Sequence, residues 1–443
     1  MTEPSASPSS LSRRNFVRSG ASAVSVAALA HSWIPTKVHA APGNRIKLGL
    51  VGCGGRGTGA AAQAMNADDG VDLVAVCDVD RSQGEQAVDI LKKQKEGRVQ
   101  VTEDRTFTGF EDYKTVIAES DVVILATSPG FRPQHFEEAV RQGKHVFMEK
   151  PVATDVAGIK RVLEAAKVAK EKNLKVGVGL QRRHQPSYQE IVKRIQDGAI
   201  GDLQFLRVFW DGSARAGKER EAGETELEYQ IRNWYYFTWL SGDHNVEQHV
   251  HNLDVANWIM GATPIRAQGM GGREVRDKEI NGQIFDHHFV EYEYANGVRM
   301  WSQARQIPGC WRSVTEHVHG TQGVADLMAR EFSISGPNEH AIRLRKGEDG
   351  HQLEHYPLFK AIREDLPHME AEHGANATMT AILGRMTNYS GQVVTWEEAM
   401  ASNQTLVPDD LVDFHSEAPV QPDAEGRYPV AVPGVTKPYE VWY

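Results

Sequence analysis

Between Ile46 and Gly179 the chain alternates short, unbroken apolar runs with longer stretches of helical period. The runs are Ile46–Val51, "VDLVAVCD" ending at Asp78, "SDVVILAT" (120–127), "KHVFME" (144–149) and "LKVGVG" (174–179). They are too short for helices and lack polar alternation, as strands buried on both faces do. Residues 58–65, "PQHFEEAVRQG" ending at Gly143, and 154–173 read as the intervening helices. That rhythm predicts a doubly wound parallel sheet over residues 45–178. The rest has a different pattern. "LQFLRVFW" (203–210), the two runs flanking Asn296-Gly297 in "FVEYEYANGVRMWSQ", and "RSVTEHVHG" (312–320) read as strands. Asn-Gly between two such runs is a hairpin signal. Residues 179–420 therefore form a second domain and 421–443 an irregular tail packed by its aromatics, with no internal repeat.

Residues 1–40 carry an address. "SRRNFVRSG" (12–20) precedes the apolar, small-residue run "ASAVSVAALA", and "VHA" precedes Ala41. A basic region, a short apolar region and a small-residue cleavage site make up an export signal. Arg13-Arg14 followed by Phe16 resembles the twin-arginine form. The expectation is a periplasmic protein, exported folded, with no membrane attachment after cleavage.

The first strand leads into Gly52-Cys53-Gly54-Gly55-Arg56-Gly57, a G-x-G-x-x-G opening a helix. Gly52 permits the tight turn, Gly54 lets the backbone approach a pyrophosphate, and Gly57 lets helix and strand pack closely. The helix N-terminus presents unpaired N–H groups to the phosphates. Asp78, about 20 residues on, ends the second strand where an acid accepts from the adenosine ribose hydroxyls. It disfavours a 2′-phosphate, so NAD is expected over NADP; Asp80 adds to that sign and Arg81 opposes it. Ligands of such sheets lie at the C-terminal strand ends, which places Gly52, Asp78, Thr127 and Glu149-Lys150-Pro151 along one edge.

Charge and cysteine content narrow the field. The 443 residues carry a formal charge of −10. Without residues 1–40 there remain 45 basic against 58 acidic residues. No basic footprint for nucleic acid exists. Three cysteines without a CxxC pair give neither a disulfide framework nor a zinc knuckle.

The segments "GLVGCGGRG", "ATSPGFRPQH", "GKHVFMEKP", "QRRHQPSY", "VHNLDVANWIMG" and "HGTQG", spread over about 45–414, resemble the Gfo/Idh/MocA oxidoreductases. The resemblance implies an α/β fold: an N-terminal Rossmann doubly wound parallel sheet plus a C-terminal α+β domain with a large, mostly antiparallel sheet. It also implies an NAD(P)-dependent oxidoreductase acting on a hydroxyl or keto carbon of a carbohydrate or cyclitol. The family's catalytic lysine maps onto Lys150. There a cation would stabilise an alkoxide forming on the substrate. Glu149 and His135 map onto cofactor-lining positions, although His135 equally fits a helix surface. Relatives include dimers and tetramers, so a homo-oligomer is expected. Some relatives are glycosidases that use bound NAD transiently, and that outcome remains open. Because free NAD is scarce outside the cytoplasm, a tightly held cofactor is expected.

The stretch "SGDHNVEQHVHNLD" (241–254) is the densest chemistry in the chain. The family carries D-x-x-x-H at a helix start; here His251 takes the histidine position and Glu247 stands where aspartate is usual. Helical spacing puts His244, Glu247, His251 and Asp254 on one stripe and His249 opposite. Imidazole with carboxylate suits zinc, but HExxH spacing is missing and hydride transfer needs no metal; no metal is expected. His251 is assigned as general base with Glu247 orienting. His244 and Asp254 orient substrate or cap structure. Arg183, His184 and Tyr188, with aromatics of "NWYYFTWLSG" (233–242), are candidates for sugar binding or for core.

Overall fold

The computed structural model describes residues 45–443 apart from Ala329. The export segment, residues 1–40, lies outside the described residues. The first sheet holds β1 (Ile46–Val51), β2 (Val71–Asp78), β3 (Thr106–Thr108), β4 (Val122–Leu125), β5 (His145–Met148) and β6 (Val176–Val178). Its order is β3-β2-β1-β4-β5-β6, and every pairing is parallel. The order reverses between β1 and β4, so the crevice at their C-terminal ends is where such a sheet receives a ligand. Five strands are the apolar runs seen in the sequence. β3 is an edge strand of three residues, too short to show a period.

The second sheet comprises β7 (Leu203–Asp211), β8 (Arg266–Gly272), β9 (His287–Glu293), β10 (Arg299–Arg305), β11 (Ser313–Gly320), β12 (Val324–Met328), β13 (Glu331–Ser335), β14 (His340–Arg343) and β15 (Val394–Thr395). Their order is β14-β13-β12-β11-β7-β10-β9-β8-β15. Only the β7–β10 pairing is parallel. β9 and β10 form the hairpin expected at Asn296-Gly297, and Tyr294 N–H donates to the Val298 carbonyl at 2.9 Å. One face is covered by the helices Val250–Met260, Pro186–Gln196 and Ala371–Ser390. The opposite face exposes Met270, Phe289 and Trp301.

The two halves share their cores. The helix His355–Glu364 returns to the first sheet, where Leu358 and Phe359 pack with Leu48, Leu50, Ile124 and Phe147. Met369 then bridges to Val176. Glu370 follows, accepting from Val178 N–H at 2.8 Å. A late segment thus completes the sheet edge carrying Glu149 and Lys150. No helix among the described residues is long and apolar enough to cross a membrane.

Candidate active site

The glycine loop is shaped by close approach. Gly52 has φ +93°, and a Cβ there would lie 2.4 Å from the Thr127 nitrogen. A Cβ on Gly57 would lie 1.9 Å from the Gly52 carbonyl oxygen. Around Gly54 and Gly55 a Cβ would meet nothing within 4 Å, and Gly54 borders open space. That space is a cavity of about 580 Å³ whose walls include Gly52, Gly54, Asp78, Thr127 and His135. Asp78 accepts from Cys53 N–H at 2.7 Å and Asp80 N–H at 3.1 Å. Thr127 Oγ1 and His135 Nδ1 are 3.2 Å apart. The His135 ring lies against Tyr113, with centroids 4.1 Å apart. Burial first, then Arg132 and Arg161, push its pKa down to about 3, so the ring is neutral. An open-sided glycine loop with an acid at the end of β2 fits a dinucleotide.

Arg56 turns away from this cavity. Its guanidinium pairs with Glu149, reaches Glu354 at 3.2 Å and donates to Gln63 at 2.8 Å. Burial opposes ionisation of Glu149, but Arg56 and then Lys150 outweigh it and hold the carboxyl below its ordinary range. Burial and the charge of Glu149 push Glu354 well above that range. Two carboxyl groups, one held below and one pushed above the ordinary range, therefore share Arg56 beneath the loop.

At the end of β5, Lys150 Nζ donates to the Glu247 carbonyl at 2.6 Å and to Glu247 Oε1 at 3.2 Å. His251 is 5 % exposed and stacks on Trp210, with centroids 5.9 Å apart. Its pKa is held well below the ordinary value, first by burial, then by Lys150 and Arg182. A neutral imidazole beside a lysine cation can accept a hydroxyl proton while the cation stabilises the alkoxide. Arg182 pairs with Glu316 and lies over Trp210 at 5.8 Å. Arg182, Tyr188 and His351 border a second cavity of about 330 Å³. Arg182 and His351 both act on His251.

The expected single helical stripe is interrupted. His244–Glu247 and Val250–Met260 are separate helices, broken at Gln248-His249. The break leaves Glu247 with Lys150 but directs His244 elsewhere. Asp243 lies between two imidazoles, 2.8 Å from His244 Nδ1 and 3.2 Å from His288 Nε2. It also accepts from the Phe285 N–H at 3.0 Å, the Tyr389 hydroxyl and the His244 N–H. Asp243, His244 and His288 form a grouping of metal-ligand type. A carboxylate already accepting from this many donors has few lone pairs left for a cation, and the grouping serves as a buried hydrogen-bond network.

The other substrate candidates also have protein partners. Arg183 grips Asp254 bidentately at 2.7–3.0 Å, and His184 lies 3.1 Å from Glu370. The Tyr188 hydroxyl donates to Glu316 at 3.3 Å. Of the five, only Tyr188 borders the second cavity. Sequence reasoning missed Arg182, Trp210 and His351. Trp210 was legible, because alternation along β7 puts Leu206, Val208 and Trp210 on one face. His351 carried no local signal.

Residues 46–180 match the oxidoreductase family with an NAD-binding Rossmann fold, and residues 188–326 match the GFO/IDH/MocA C-terminal domain. The chain belongs to the Gfo/Idh/MocA family. It is an NAD-binding oxidoreductase of that family. It is 27% identical over 304 residues to an inositol 2-dehydrogenase of Burkholderia lata, covering 68% of this chain and 77% of that protein. Its fold is similar to that of aldose-aldose oxidoreductase from Caulobacter crescentus crystallised with glycerol, at TM-score 0.63 and 16% identity, over 80% of this chain and 100% of that one. A levoglucosan dehydrogenase in complex with NADH and levoglucosan gives TM-score 0.63 at 17% identity, over 80% and 99%.

Proposed function

We propose that this member of the Gfo/Idh/MocA family is an exported, NAD-dependent dehydrogenase of a sugar or cyclitol that keeps its cofactor between turnovers. The observation that carries the chemistry is Lys150, fixed by Glu247 at the strand end beside a neutral His251. Bound nicotinamide supplies the hydride acceptor. His251 removes the proton of the reacting hydroxyl, Lys150 stabilises the oxygen as charge develops, and Glu247 holds Lys150 in place. In the reverse direction His251 returns the proton to a ketone. Trp210, beside His251, offers a flat apolar face to a sugar ring, and Tyr188 offers a hydroxyl.

The substrate class is supported by the inositol, aldose and levoglucosan enzymes among the similar proteins. Asp78 supports NAD over NADP. The twin-arginine pattern of residues 12–20 supports export of a folded, loaded protein. Met270, Phe289 and Trp301 on the open sheet face support a homo-oligomer formed there.

The test is to express the chain with its signal, purify it, and identify the nucleotide released on denaturation. Sugars and cyclitols are then screened for reduction of that nucleotide. A protein that neither carries nor binds NAD overturns the reading. Release of phenol from aryl glycosides with no change in NADH absorbance would replace net dehydrogenation by NAD-assisted glycoside cleavage.

A further inference from the structure

The glycine loop brings no cationic side chain to the phosphates, because Arg56 is committed to Glu149 and Glu354. Its helix N-terminus supplies only about half an elementary charge, against two on a dinucleotide diphosphate. Asp78, Asp80 and Glu228 meanwhile add negative charge around the cavity. Four cations line the same cavity. Arg81 is paired with Glu85 at 2.9 Å. Arg232 is paired with Glu224 and, at 3.2 Å, with Glu221. The other two, Arg215 and Lys218, have no carboxylate partner among the described residues. Both come from the segment that follows β7, in the second half of the chain.

That segment is built rather than loose. The Arg215 guanidinium carbon lies 5.3 Å from the rings of both Trp234 and Tyr235. Its carbonyl accepts from the Tyr236 hydroxyl. Lys218 N–H donates to Asn233 Oδ1 at 3.1 Å. Between them Gly217 packs where a Cβ would lie 2.6 Å from the Ile280 carbonyl oxygen. The C-terminal stretch closes the same wall: Thr225 Oγ1 donates to the Phe414 carbonyl at 2.6 Å, and the Phe414 ring meets Phe110 edge-on at 5.3 Å.

We propose that Arg215 and Lys218 clamp the cofactor diphosphate from across the groove, and that this wall sets how slowly the dinucleotide leaves. The proposal rests on the cofactor reading above and assigns the residues that make the cofactor resident. Two uncommitted cations on a packed wall facing the glycine loop supply the countercharge that the loop lacks. Trp234 and Phe414 complete the wall.

The test uses the protein as purified with its nucleotide. Release into excess unlabelled NAD is followed by the fluorescence of pre-bound NADH, and retained nucleotide is measured after gel filtration. The Arg215→Ala/Lys218→Ala double variant is expected to release at least about tenfold faster, with a shallower dependence of release on salt than the unsubstituted protein, because the contacts that salt screens are gone. The charge-keeping pair Arg215→Lys/Lys218→Arg is expected to release within about threefold of the unsubstituted protein. Both residues are exposed, so folding is checked by melting temperature alone. Release from the double alanine variant within twofold of the parent overturns the clamp while leaving NAD binding intact. An unsubstituted protein that binds no NADH at all overturns the cofactor reading itself.

Discussion

Lys150 is held twice by one residue, through the Glu247 carbonyl at 2.6 Å and its carboxylate at 3.2 Å. The backbone contact does not depend on side-chain length, so the family's aspartate and this chain's glutamate can serve the same lysine. Replacing Lys150 by Met removes the cation opposite the developing alkoxide. A kcat loss of about 10²–10³ is expected in steady-state assays of the nucleotide-loaded enzyme, the range for one preorganised electrostatic contact. Glu247→Asp keeps the carbonyl contact and should cost less than about tenfold; a loss equal to that of Lys150→Met would show that the carboxylate does the positioning alone. Lys150, Glu247 and His251 were legible because each sits at a fixed place in a motif. The choice between Arg182 and Arg183 was not. The turn Gln181–His184 sends one to Glu316 over Trp210 and the other to Asp254, and nothing in "QRRH" says which.

The interrupted helix is the element that organises the site. Gly242 and Asp243 both have φ +79°. For aspartate this backbone region costs about 1–3 kcal/mol. It is sustained by the hydrogen bonds that the Asp243 carboxylate accepts and by its place as N-cap of His244–Glu247. Periodicity could not show this, because the buried partner of Asp243, His288, comes 45 positions later in the chain. Asp243→Asn keeps the shape but leaves two imidazoles without their carboxylate. Buried donors that lose their acceptor cost about 1–3 kcal/mol. Urea unfolding should show a stability loss of about that size, and the helix carrying Glu247 should shift enough to lower kcat. An unchanged unfolding midpoint would mean that the network contributes nothing to stability.

On the scale of the molecule, the first sheet was readable from its continuous apolar runs, β3 apart, whereas of the second sheet only β7, β9, β10 and β11 were read, and the short β8 and β12–β15 were not. The return of residues 350–370 to the first sheet was not, because Leu358 and Phe359 form an ordinary amphipathic helix whose partners lie some 200–300 positions earlier. One consequence of that shared core is a large store of buried, neutral histidine. Burial pushes His135 and His249 down to about 3 and His244 down to about 4. The unfolded chain binds these protons below about pH 6.5, whereas the folded chain refuses them until its own lower values are reached. Stability therefore falls as pH drops through that window, by about 1.4 kcal/mol per pH unit for each histidine. His184 opposes the trend. Burial alone would lower it, but Glu370 outweighs burial and raises it, so its contribution is present below pH 6.5 and is lost as pH rises through the raised value. These three histidines alone give a loss of roughly 4 kcal/mol between pH 6 and pH 5, where the contribution of His184 is already complete, and His251 and His355, also held well below the ordinary value by burial, act in the same direction. Urea midpoints measured from pH 7.5 to 5 should decline steeply below 6.5. His249→Gln, which can keep a bond to Ser302, should flatten that decline by about one proton, and a midpoint that stays level or rises on acidification would contradict the buried-histidine account.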